Sequence, residues 1–346
     1  MRRVLITGCG GIGGVNFCRA LRLSGDYFIV GGDHFKYHLI FADVDVRVQT
    51  PRHDDPSFIP RICEVIKAYD IEFIHPQPTV EAYELSRNSD YISAKVYLPN
   101  AEAMARGFDK LETARALSRK GVPVPRFASL DGLEKLNSPY WVRTRRGAGG
   151  RLSLPCSSAD EVLCWVELWN KRGVTVPSDW IVQEYVGGRD IAWDSLWYEG
   201  KLVTSYARER LEYPFKHLIP SGIGGTPVVA KTIHDDSINE VGVKAVLAVD
   251  ERPHGFYCVD LKYEDKPYVT EVNVGKAHTT LPLWSYAMQK FLGEPSMVDI
   301  YVRLGLGEDC PDVPKFNLYP EDYYIIRHID CGSWLWREDG WRRRIV

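Results

Sequence analysis

The first hundred residues alternate apolar, strand-like runs with helical stretches, and this alternation limits the possible folds more than any other feature. Strand-like runs occupy residues 4–7, 27–30 and 71–74, and helical patterns occupy residues 14–24 and 58–69. Strands that alternate with helices form a parallel sheet covered by helices. The sequence therefore predicts an α/β fold that begins with such a sheet.

A glycine-rich turn follows the first strand. Its residues, Gly8-Cys9-Gly10-Gly11-Ile12-Gly13, match the spacing G-x-G-x-x-G between a strand and a helix, and Asp33 closes the second strand. Glycines at this spacing let the backbone approach a pyrophosphate at a helix N-terminus. One hypothesis is an NAD(P)-dependent oxidoreductase that uses Gly8, Gly10, Gly13 and Asp33. The other is a tight strand-to-helix turn without a ligand.

Two further polar side chains, Gln77 and Glu81, follow the third strand of this region. They therefore lie at the carboxyl end of the predicted sheet. Ligands of open α/β sheets bind at that end. Gln77 and Glu81 are therefore candidates to face a ligand.

A second glycine-rich segment, Gly147-Ala148-Gly149-Gly150, follows a strand-like run at residues 140–142. Arg143, Arg145 and Arg146 precede it directly, and a flexible loop beside three arginines suits an anion. An ordinary hairpin tip is the alternative. Upstream, the helix predicted over residues 109–120 starts near Lys110 and ends in a glycine followed by prolines, which are typical stop signals.

Two strand-like runs at residues 256–261 and 268–273 carry three oxygen-bearing side chains. Alternation places Glu271 and Asn273 on one face of the second run, and the short polar turn between the runs folds Asp260 back against them. Mg²⁺ prefers such oxygen ligands and takes its remaining ligands from water and substrate phosphates. The hairpin thus indicates a magnesium and nucleotide site, with a merely solvated hairpin as the alternative.

Composition excludes several classes of function. With 346 residues, 45% hydrophobic and 26% charged, the chain is long enough for two or three domains. A formal charge of −3 provides no general attraction for nucleic acid or a membrane surface. The sequence shows no signal-peptide pattern and no apolar run of about 20 residues. Eight scattered cysteines without a C-x-x-C pair favour reduced thiols in the cytoplasm and argue against structural zinc.

The order of these motifs resembles the ATP-grasp superfamily: a lysine-headed helix, an arginine- and glycine-rich loop, strand-end acids, and an Asp…Glu-x-Asn hairpin. The sequence looks most similar to the carbamoyl-phosphate-synthase-like and carboxylate–amine ligase branch. The resemblance implies a Rossmann-like domain over residues 1–100. A two-subdomain ATP-grasp fold would cover residues 101–305, with a lid at about 126–187. A C-terminal extension over residues 306–346 would pack on it.

The resemblance implies a role for each motif of the nucleotide site. Asp260, Glu271 and Asn273 match the family's Mg²⁺ ligands. The residues expected to contact the phosphates of ATP are Lys110, Arg143, Gly147, Gly149 and Gly150. Arg143 stands where the family usually has lysine, and its forked guanidinium implies phosphate binding in a different geometry.

Residues around the predicted strand at 180–186 match the family's adenosine site. Glu184 would accept from the exocyclic amine of adenine, and backbone groups near Val186 would contact the ring edge. Asp190 matches the acid that holds the ribose hydroxyls. Ordinary strand-edge carboxylates are the alternative for Glu184 and Asp190.

The resemblance places a catalytic cation at Arg208 or Arg210, and we favour Arg208. One departure concerns the reacting end, because Gly275 stands where fuller family signatures have arginine. Either Lys276 supplies the charge near the acyl phosphate from one residue further on, or the substrate binds in a different way. His278 and the pair at 279–280 follow directly and could line the acceptor pocket, although His278 could equally be structural.

The implied function is an ATP- and Mg²⁺-dependent ligase that activates a small carboxylate as an acyl phosphate for attack by an amine. The resemblance lowers the expectation of NAD(P) binding and also allows a homodimer. A non-catalytic nucleotide-binding protein is a further alternative. In the tail, Trp334, Trp336 and Trp341 lie among arginines; we expect the tryptophans to pack onto the domain and the arginines to face water.

Overall fold

The computed structural model describes residues 1–147, 149–328 and 332–346. Ala148 of the predicted glycine loop and Cys331 lie outside the described residues. Within the described parts, the strands form three sheets of five, four and eight strands. The seven described cysteines form no disulfide with one another. No helix in these ranges is both long and apolar enough to cross a membrane.

The first sheet is parallel and confirms the predicted α/β start of the chain. Its order is β3-β2-β1-β4-β5. The strands are β1 (Arg2–Thr7), β2 (Tyr27–Asp33), β3 (Val46–Gln49), β4 (Phe73–Pro76) and β5 (Lys95–Val96). The helices of this region are α1 (Ile12–Ser24), α2 (Phe58–Tyr69) and α3 (Thr79–Arg87). Because β1 and β4 are neighbours, the glycine turn after β1 lies beside the segment that follows β4.

Two helices, α4 (Ala101–Phe108) and α5 (Lys110–Arg119), lead from this sheet to the rest of the chain. Asp109 separates them and is the N-cap of α5, where its carboxylate accepts from the backbone N–H groups of Leu111 and Glu112. Such a cap satisfies amide groups that have no partner within the helix. The cap fixes Lys110 as the first residue of α5.

The second sheet is antiparallel, with the order β6-β9-β7-β8. Its strands are β6 (Phe127–Ser129), β7 (Tyr140–Thr144), β8 (Leu154–Cys156) and β9 (Trp180–Glu184). Helix α6 (Ala159–Lys171) covers one face, and the hydroxyl of Ser158 caps it by accepting from the N–H of Glu161. Val142, Val162 and Trp180 form the core between this helix and the sheet.

The third sheet contains eight strands in the order β14-β13-β10-β11-β12-β15-β16-β17. The strands are β10 (Arg189–Tyr198), β11 (Lys201–Glu212), β12 (Val229–Ile233), β13 (Gly255–Tyr263), β14 (Pro267–Val274), β15 (Tyr324–His328), β16 (Gly332–Trp336) and β17 (Arg342–Arg344). The remaining helices are α7 (Asp236–Val249), α8 (Leu281–Leu292) and α9 (Met297–Leu306). One large core joins α1, α8 and α9 to this sheet, with Phe17, Trp284 and Tyr301 fully buried.

The C-terminal strands complete the third sheet. Leu335 is fully buried in the large core, and Trp341 packs against Tyr323. Arg342–Arg344 are exposed, as expected for the arginines of the tail. The tryptophans differ from the prediction in one case, because Trp334 keeps 37% of its surface exposed. It lies on the outer face of β16, where no described helix covers the sheet.

Candidate active site

One cavity of about 380 Å³ lies between the four-stranded and eight-stranded sheets. The structure brings together at this cavity every residue to which the ATP-grasp resemblance assigned a nucleotide, metal or catalytic role, whereas the candidates of the N-terminal sheet do not line it. The residues with such a role are Lys110, Arg143, Gly147, Gly149, Gly150, Glu184, Val186, Asp190, Arg208, Asp260, Glu271, Asn273 and Lys276. Their convergence supports a single site, and their individual roles stay predictions.

The acidic hairpin is formed by β13 and β14. Asp260 lies directly opposite Glu271, and the side-chain amide of Asn273 donates to Asp260 over 3.3 Å. A bulge follows this pair: Leu261 is opposite Val269, and Thr270 of β14 has no partner in the ladder. The hairpin therefore presents two carboxylates and one amide oxygen on the same face, a donor set that suits Mg²⁺.

Two cations flank Glu271. Lys110 Nζ lies 3.7 Å from one carboxylate oxygen and Arg143 Nη1 lies 3.5 Å from the other. Burial lowers the pKa of Lys110. Burial alone would raise the pKa of Glu271, but Lys110, Arg143 and Lys276 outweigh it and hold that pKa below its usual value. Glu271 is thus an ionised carboxylate in a largely buried, positively charged setting.

Arg143 lines the cavity and keeps one buried donor without a partner among the described residues. Its Nη2 donates to the backbone oxygen of Thr270 over 2.5 Å, whereas its buried Nε has no hydrogen-bond partner among the described residues. A buried donor without a partner costs free energy unless a ligand satisfies it. Burial also lowers the pKa of Arg143, but a guanidinium keeps its proton. The donor set around Arg143 and Lys110 therefore fits the phosphate groups of a nucleotide.

The glycine loop forms one wall of the cavity. Lys110 Nζ donates to the backbone oxygen of Gly147 over 2.7 Å. Gly149 and Gly150 have φ angles of +70° and +73°, which L side chains rarely adopt. A Cβ on Gly149 would meet no atom within 4 Å. Space and backbone freedom are therefore available on this side of the loop.

Sequence reasoning missed the segment at residues 213–227, which faces the glycine loop. Five of its residues line the cavity: Tyr213, Ile223, Gly225, Thr226 and Pro227. The N–H of Gly225 lies 3.4 Å from the backbone oxygen of Gly149, and a Cβ on Gly150 would lie 2.5 Å from the backbone oxygen of Ile223. The glycine-rich run at 221–225 was the available signal. It lacked a charged side chain that would have pointed to a ligand.

The predicted adenosine residues lie at the opposite wall. Glu184 accepts from the backbone N–H of Asn137 over 2.8 Å and pairs with Arg126 over 3.0 Å. Its carboxylate is therefore already partnered, and an adenine amine would share it with those groups. Val186 lines the same wall through the segment that follows β9.

Asp190 is also partnered. It accepts from the hydroxyl of Tyr213 over 2.9 Å and lies 3.3 Å from Arg210 and 3.5 Å from Lys262. The contact with Tyr213 ties the segment 213–227 to the start of β10. Hydroxyls of a ribose at this position would join an existing network of hydrogen bonds.

Arg208 and Arg210 both face the site, since residues two apart on a strand share a face. The sequence-based choice between them was therefore unnecessary. Arg208 is 1% exposed, pairs with the buried Asp194 and donates to Tyr206 over 2.8 Å. Arg210 pairs with Asp190 and Asp260. Burial lowers the pKa of Arg208.

His278 lies behind these arginines. Its Nδ1 is 3.0 Å from Arg208 Nη2 and 3.1 Å from an oxygen of Asp194. Burial, with help from the two arginines, lowers the pKa of His278 well below its usual value. The imidazole is therefore neutral and joins the buried network that supports the cavity floor.

The structure explains the departure at Gly275. Its φ angle is +70°, and a Cβ there would lie 2.9 Å from Met104 and 3.1 Å from Pro99. The positive φ and these close contacts disfavour any side chain at this position, including the arginine of the fuller family signature. Lys276 lines the cavity instead, and its ammonium makes no hydrogen bond or ion pair with any residue that the structure describes.

The N-terminal glycine turn is filled by the protein itself. A Cβ on Gly8, Gly10 or Gly13 would lie 2.4 to 2.6 Å from atoms of Pro78, His38 or Gln77, respectively. The N–H of Gly10 donates to Asp33, which is 4% exposed and also accepts from the N–H of Phe35. The glycines of the predicted dinucleotide fingerprint therefore make room for packing, and the acid of the fingerprint caps the turn.

Comparison with known proteins assigns the class of this site. Residues 108–275 match the family model described as an ATP-grasp domain. The chain therefore contains an ATP-grasp domain, which confirms the resemblance indicated by the order of its motifs. ATP-grasp enzymes use ATP and Mg²⁺, so the predicted cofactors are confirmed as well. No curated protein matches the sequence significantly.

Solved structures confirm the fold class. L-amino acid ligase from Bacillus licheniformis has a TM-score of 0.69 and 14% identity, with 94% of this chain and 79% of that chain covered. N5-carboxyaminoimidazole synthetase from Staphylococcus aureus, complexed with ADP, has a TM-score of 0.68 and 15% identity over 94% and 82%. The biotin carboxylase domain of Hydrogenobacter thermophilus 2-oxoglutarate carboxylase, in complex with MgADP, has a TM-score of 0.71 and 15% identity. This match covers 94% of this chain and 73% of that chain. At these identities the likeness concerns the fold.

Proposed function

We propose that this protein is an ADP-forming ligase that joins a small carboxylate to an amine. The observation that supports the proposal is the convergence of Lys110 and Arg143 on Glu271, beside Asp260 and beneath an open glycine loop. Such a set of charges neutralises a triphosphate. The unpaired ammonium of Lys276 provides a separate positive charge for the substrate carboxylate.

The reaction would proceed in two displacements. A carboxylate oxygen of the substrate attacks the γ-phosphorus of ATP, and ADP leaves, which gives an acyl phosphate. The amine then attacks the acyl carbon and loses a proton, and inorganic phosphate leaves with the former carboxylate oxygen. Neither step needs a nucleophilic side chain, so the protein contributes position and charge.

The residues of the nucleotide end would bind the phosphates. Lys110 and Arg143 provide donors, including the unpartnered Nε of Arg143, and the backbone of the glycine loop provides N–H groups. Mg²⁺ would be held by Asp260, Glu271 and Asn273 and would neutralise the charge of the transferred phosphoryl group. We expect ion pairs such as Lys110 with Glu271 to rearrange when these groups bind.

The residues of the reacting end would hold the carboxylate. Lys276 lies there without a hydrogen bond or ion pair to any described residue. Thr279 and Thr280 line the same cavity. Arg208 has its charge balanced by Asp194, so it would act mainly through the field and shape of the floor. An acyl phosphate hydrolyses in water, and the contact between residues 149 and 225 supports the proposal that these two loops cover the site.

The named relatives agree with this proposal in fold. Two of them are described as a ligase and a synthetase. We further propose that the substrates are small molecules and that the protein works in the cytoplasm. A homodimer is a prediction that light scattering of the purified protein tests.

Hydroxylamine trapping tests the proposed reaction. The purified protein is incubated with ATP, Mg²⁺ and pooled carboxylates, with hydroxylamine as the amine, and hydroxamate, ADP and phosphate are measured. We expect hydroxamate that depends on ATP and on one class of carboxylate. A Glu271→Gln variant and a reaction without carboxylate are the controls. Phosphate release without hydroxamate from any carboxylate would refute acyl-phosphate chemistry.

A further inference from the structure

Gln77 joins the N-terminal sheet to the loop that carries Lys276. It follows β4 directly and is 8% exposed. Its side-chain Nε2 donates to the backbone oxygen of Ala277 over 2.9 Å, across 200 residues of sequence. Ala277 lies between Lys276 and His278, both of which line the cavity. A side chain of the first domain therefore contacts the backbone of the reacting end.

His75 fixes the orientation of the Gln77 amide. The distance from His75 Nε2 to Gln77 Oε1 is 3.2 Å, and the imidazole is stacked on Phe17 with a ring separation of 3.7 Å. Burial lowers the pKa of His75 to about 3, so the ring is neutral. An amide oxygen only accepts, so Nε2 of His75 carries the hydrogen. The amide nitrogen of Gln77 must then point towards Ala277.

Gly13 provides the space for this arrangement. A Cβ at that position would lie 2.6 Å from Nε2 of Gln77 and 2.7 Å from its Cδ. Real Cβ atoms do not approach other atoms so closely, so any larger residue would displace the amide. The position of the Gln77 amide therefore requires glycine at residue 13, the third glycine of the N-terminal turn.

The loop that receives this hydrogen bond is held through its backbone. The N–H of Gly275 donates to the oxygen of Phe256 over 2.9 Å, and the thiol of Cys258 donates to the oxygen of Lys276 over 3.0 Å. The ammonium of Lys276 has no partner among the described residues. The position of Lys276 is consequently set by the hydrogen bonds of the backbone around it and not by an ion pair of its ammonium.

We propose that Gln77 is a positioning residue for the ligase reaction, which holds residues 275–278 so that Lys276 meets the substrate carboxylate. This inference rests on the proposed function. Misplacement of a reacting group by about 1 Å costs about 100-fold in rate. Loss of the hydrogen bond should therefore lower turnover while nucleotide binding, which uses other residues, stays the same.

Gln77→Met removes the donor and keeps the size of the side chain. The matched control is Gln289→Met, because Gln289 Oε1 accepts from Ser24 Oγ over 3.0 Å and also joins the N-terminal region to α8, away from the cavity. We expect Gln77→Met to lower kcat for hydroxamate formation by about 10- to 100-fold. The Kd for MgADP should stay within about twofold. Gln289→Met should leave both quantities unchanged.

Hydrogen exchange of the peptide covering residues 274–281, measured with MgADP present, reports on the loop directly. We expect faster exchange in Gln77→Met and unchanged exchange in Gln289→Met. Gly13→Ala, which pushes on the same amide, should reproduce the effect of Gln77→Met. Unchanged turnover in a folded Gln77→Met variant would overturn the inference, whether or not the exchange changes. If the unmodified protein forms no hydroxamate, the proposed function itself fails, and the inference fails with it.

Discussion

The two glycine-rich segments of this chain have similar sequences and opposite surroundings. In the N-terminal turn, Pro78, His38 and Gln77 occupy the space above the glycines, and Asp33 accepts from the N–H of Gly10. In the loop at residues 147–150, Gly149 has open space on its Cβ side and borders a cavity. Glycine permits close approach of any group, whether from a ligand or from the protein itself.

This contrast separates a structural glycine turn from a binding loop. In the N-terminal turn, the N–H groups of Cys9, Gly10 and Gly11 and the carboxylate of Asp33 are paired within the protein, so these groups are not left for a pyrophosphate. The second loop lies beside Lys110 and Arg143, and the latter keeps a buried Nε without a partner among the described residues. Unsatisfied donors beside open space therefore distinguish a ligand site better than the glycine spacing does.

The acid beside each segment provides the sharpest test of the contrast. Glu271→Gln should lower turnover by about 1,000-fold, because it removes charge from the predicted Mg²⁺ site. Asp33→Asn should leave kcat unchanged and lower stability by about 1 kcal/mol, since it weakens the cap of the N-terminal turn. Hydroxamate formation and thermal unfolding measure the two effects. A large loss of turnover in Asp33→Asn would reverse the roles assigned to the two segments.

The charge of Lys276 at the cavity is the next test. Lys276→Met should lower kcat/KM for the carboxylate by about 100-fold, because the substrate charge would lose its partner in a partly buried site. The Kd for MgADP should not change. Lys266→Met, in the exposed turn of the same hairpin, is the control. Equal activities of the two variants would show that Lys276 does not face the carboxylate.

The dependence of stability on pH tests whether the carboxyl group of Glu81 is buried in the N-terminal region. Burial raises the pKa of Glu81, which is 2% exposed, from 4.5 to about 7. A raised pKa means that the folded protein keeps a proton which the unfolded chain releases, so stability falls as pH rises from about 4.5 to 7. Glu81→Gln should remove this loss and stabilise the protein by about 2 kcal/mol at pH 8, with little change at pH 4.5. Parallel stability curves for the two proteins would contradict this account.

Substitution of the glycines themselves should give the smallest effect on ligand binding and the clearest contrast. Gly149→Ala places a side chain at a positive φ in open space, which should weaken MgADP binding by about 10-fold and lower Tm only slightly. Gly8→Ala would bring a Cβ within 2.4 Å of Pro78, so it should lower Tm and leave the Kd for MgADP of the folded protein unchanged. The opposite pattern would mean that the N-terminal turn binds the nucleotide.

Local sequence patterns predicted the parts of the site that depend on side-chain alternation. The pairing of Asp260 with Glu271 follows from the period of two along a strand, and the position of Lys110 follows from its place at a helix start. The same period places Arg208 and Arg210 on one face, so both face the site and no choice between the two was needed. The first parallel sheet was predicted from the alternation of strands and helices.

Contacts between distant parts of the chain could not be predicted in this way. The bond from Gln77 to Ala277 joins residues 200 positions apart, and no local pattern indicates such a contact. Ile223 and Gly225 contribute to the cavity through backbone groups, which leave no chemical signature in the sequence. The close packing of Met104 against Gly275, which disfavours a side chain there, is likewise visible only in the folded structure.

The strand order of the largest sheet also bears on how the protein is made. Arg208 and Arg210 stand on β11, and the sheet continues through β12 to β15, β16 and β17. Residues predicted to contact the nucleotide therefore leave the ribosome before the strands that complete this sheet and bury Leu335 in its core. Domains fold as units during synthesis. The nascent chain should consequently gain the ability to bind ATP only after residue 336 has emerged.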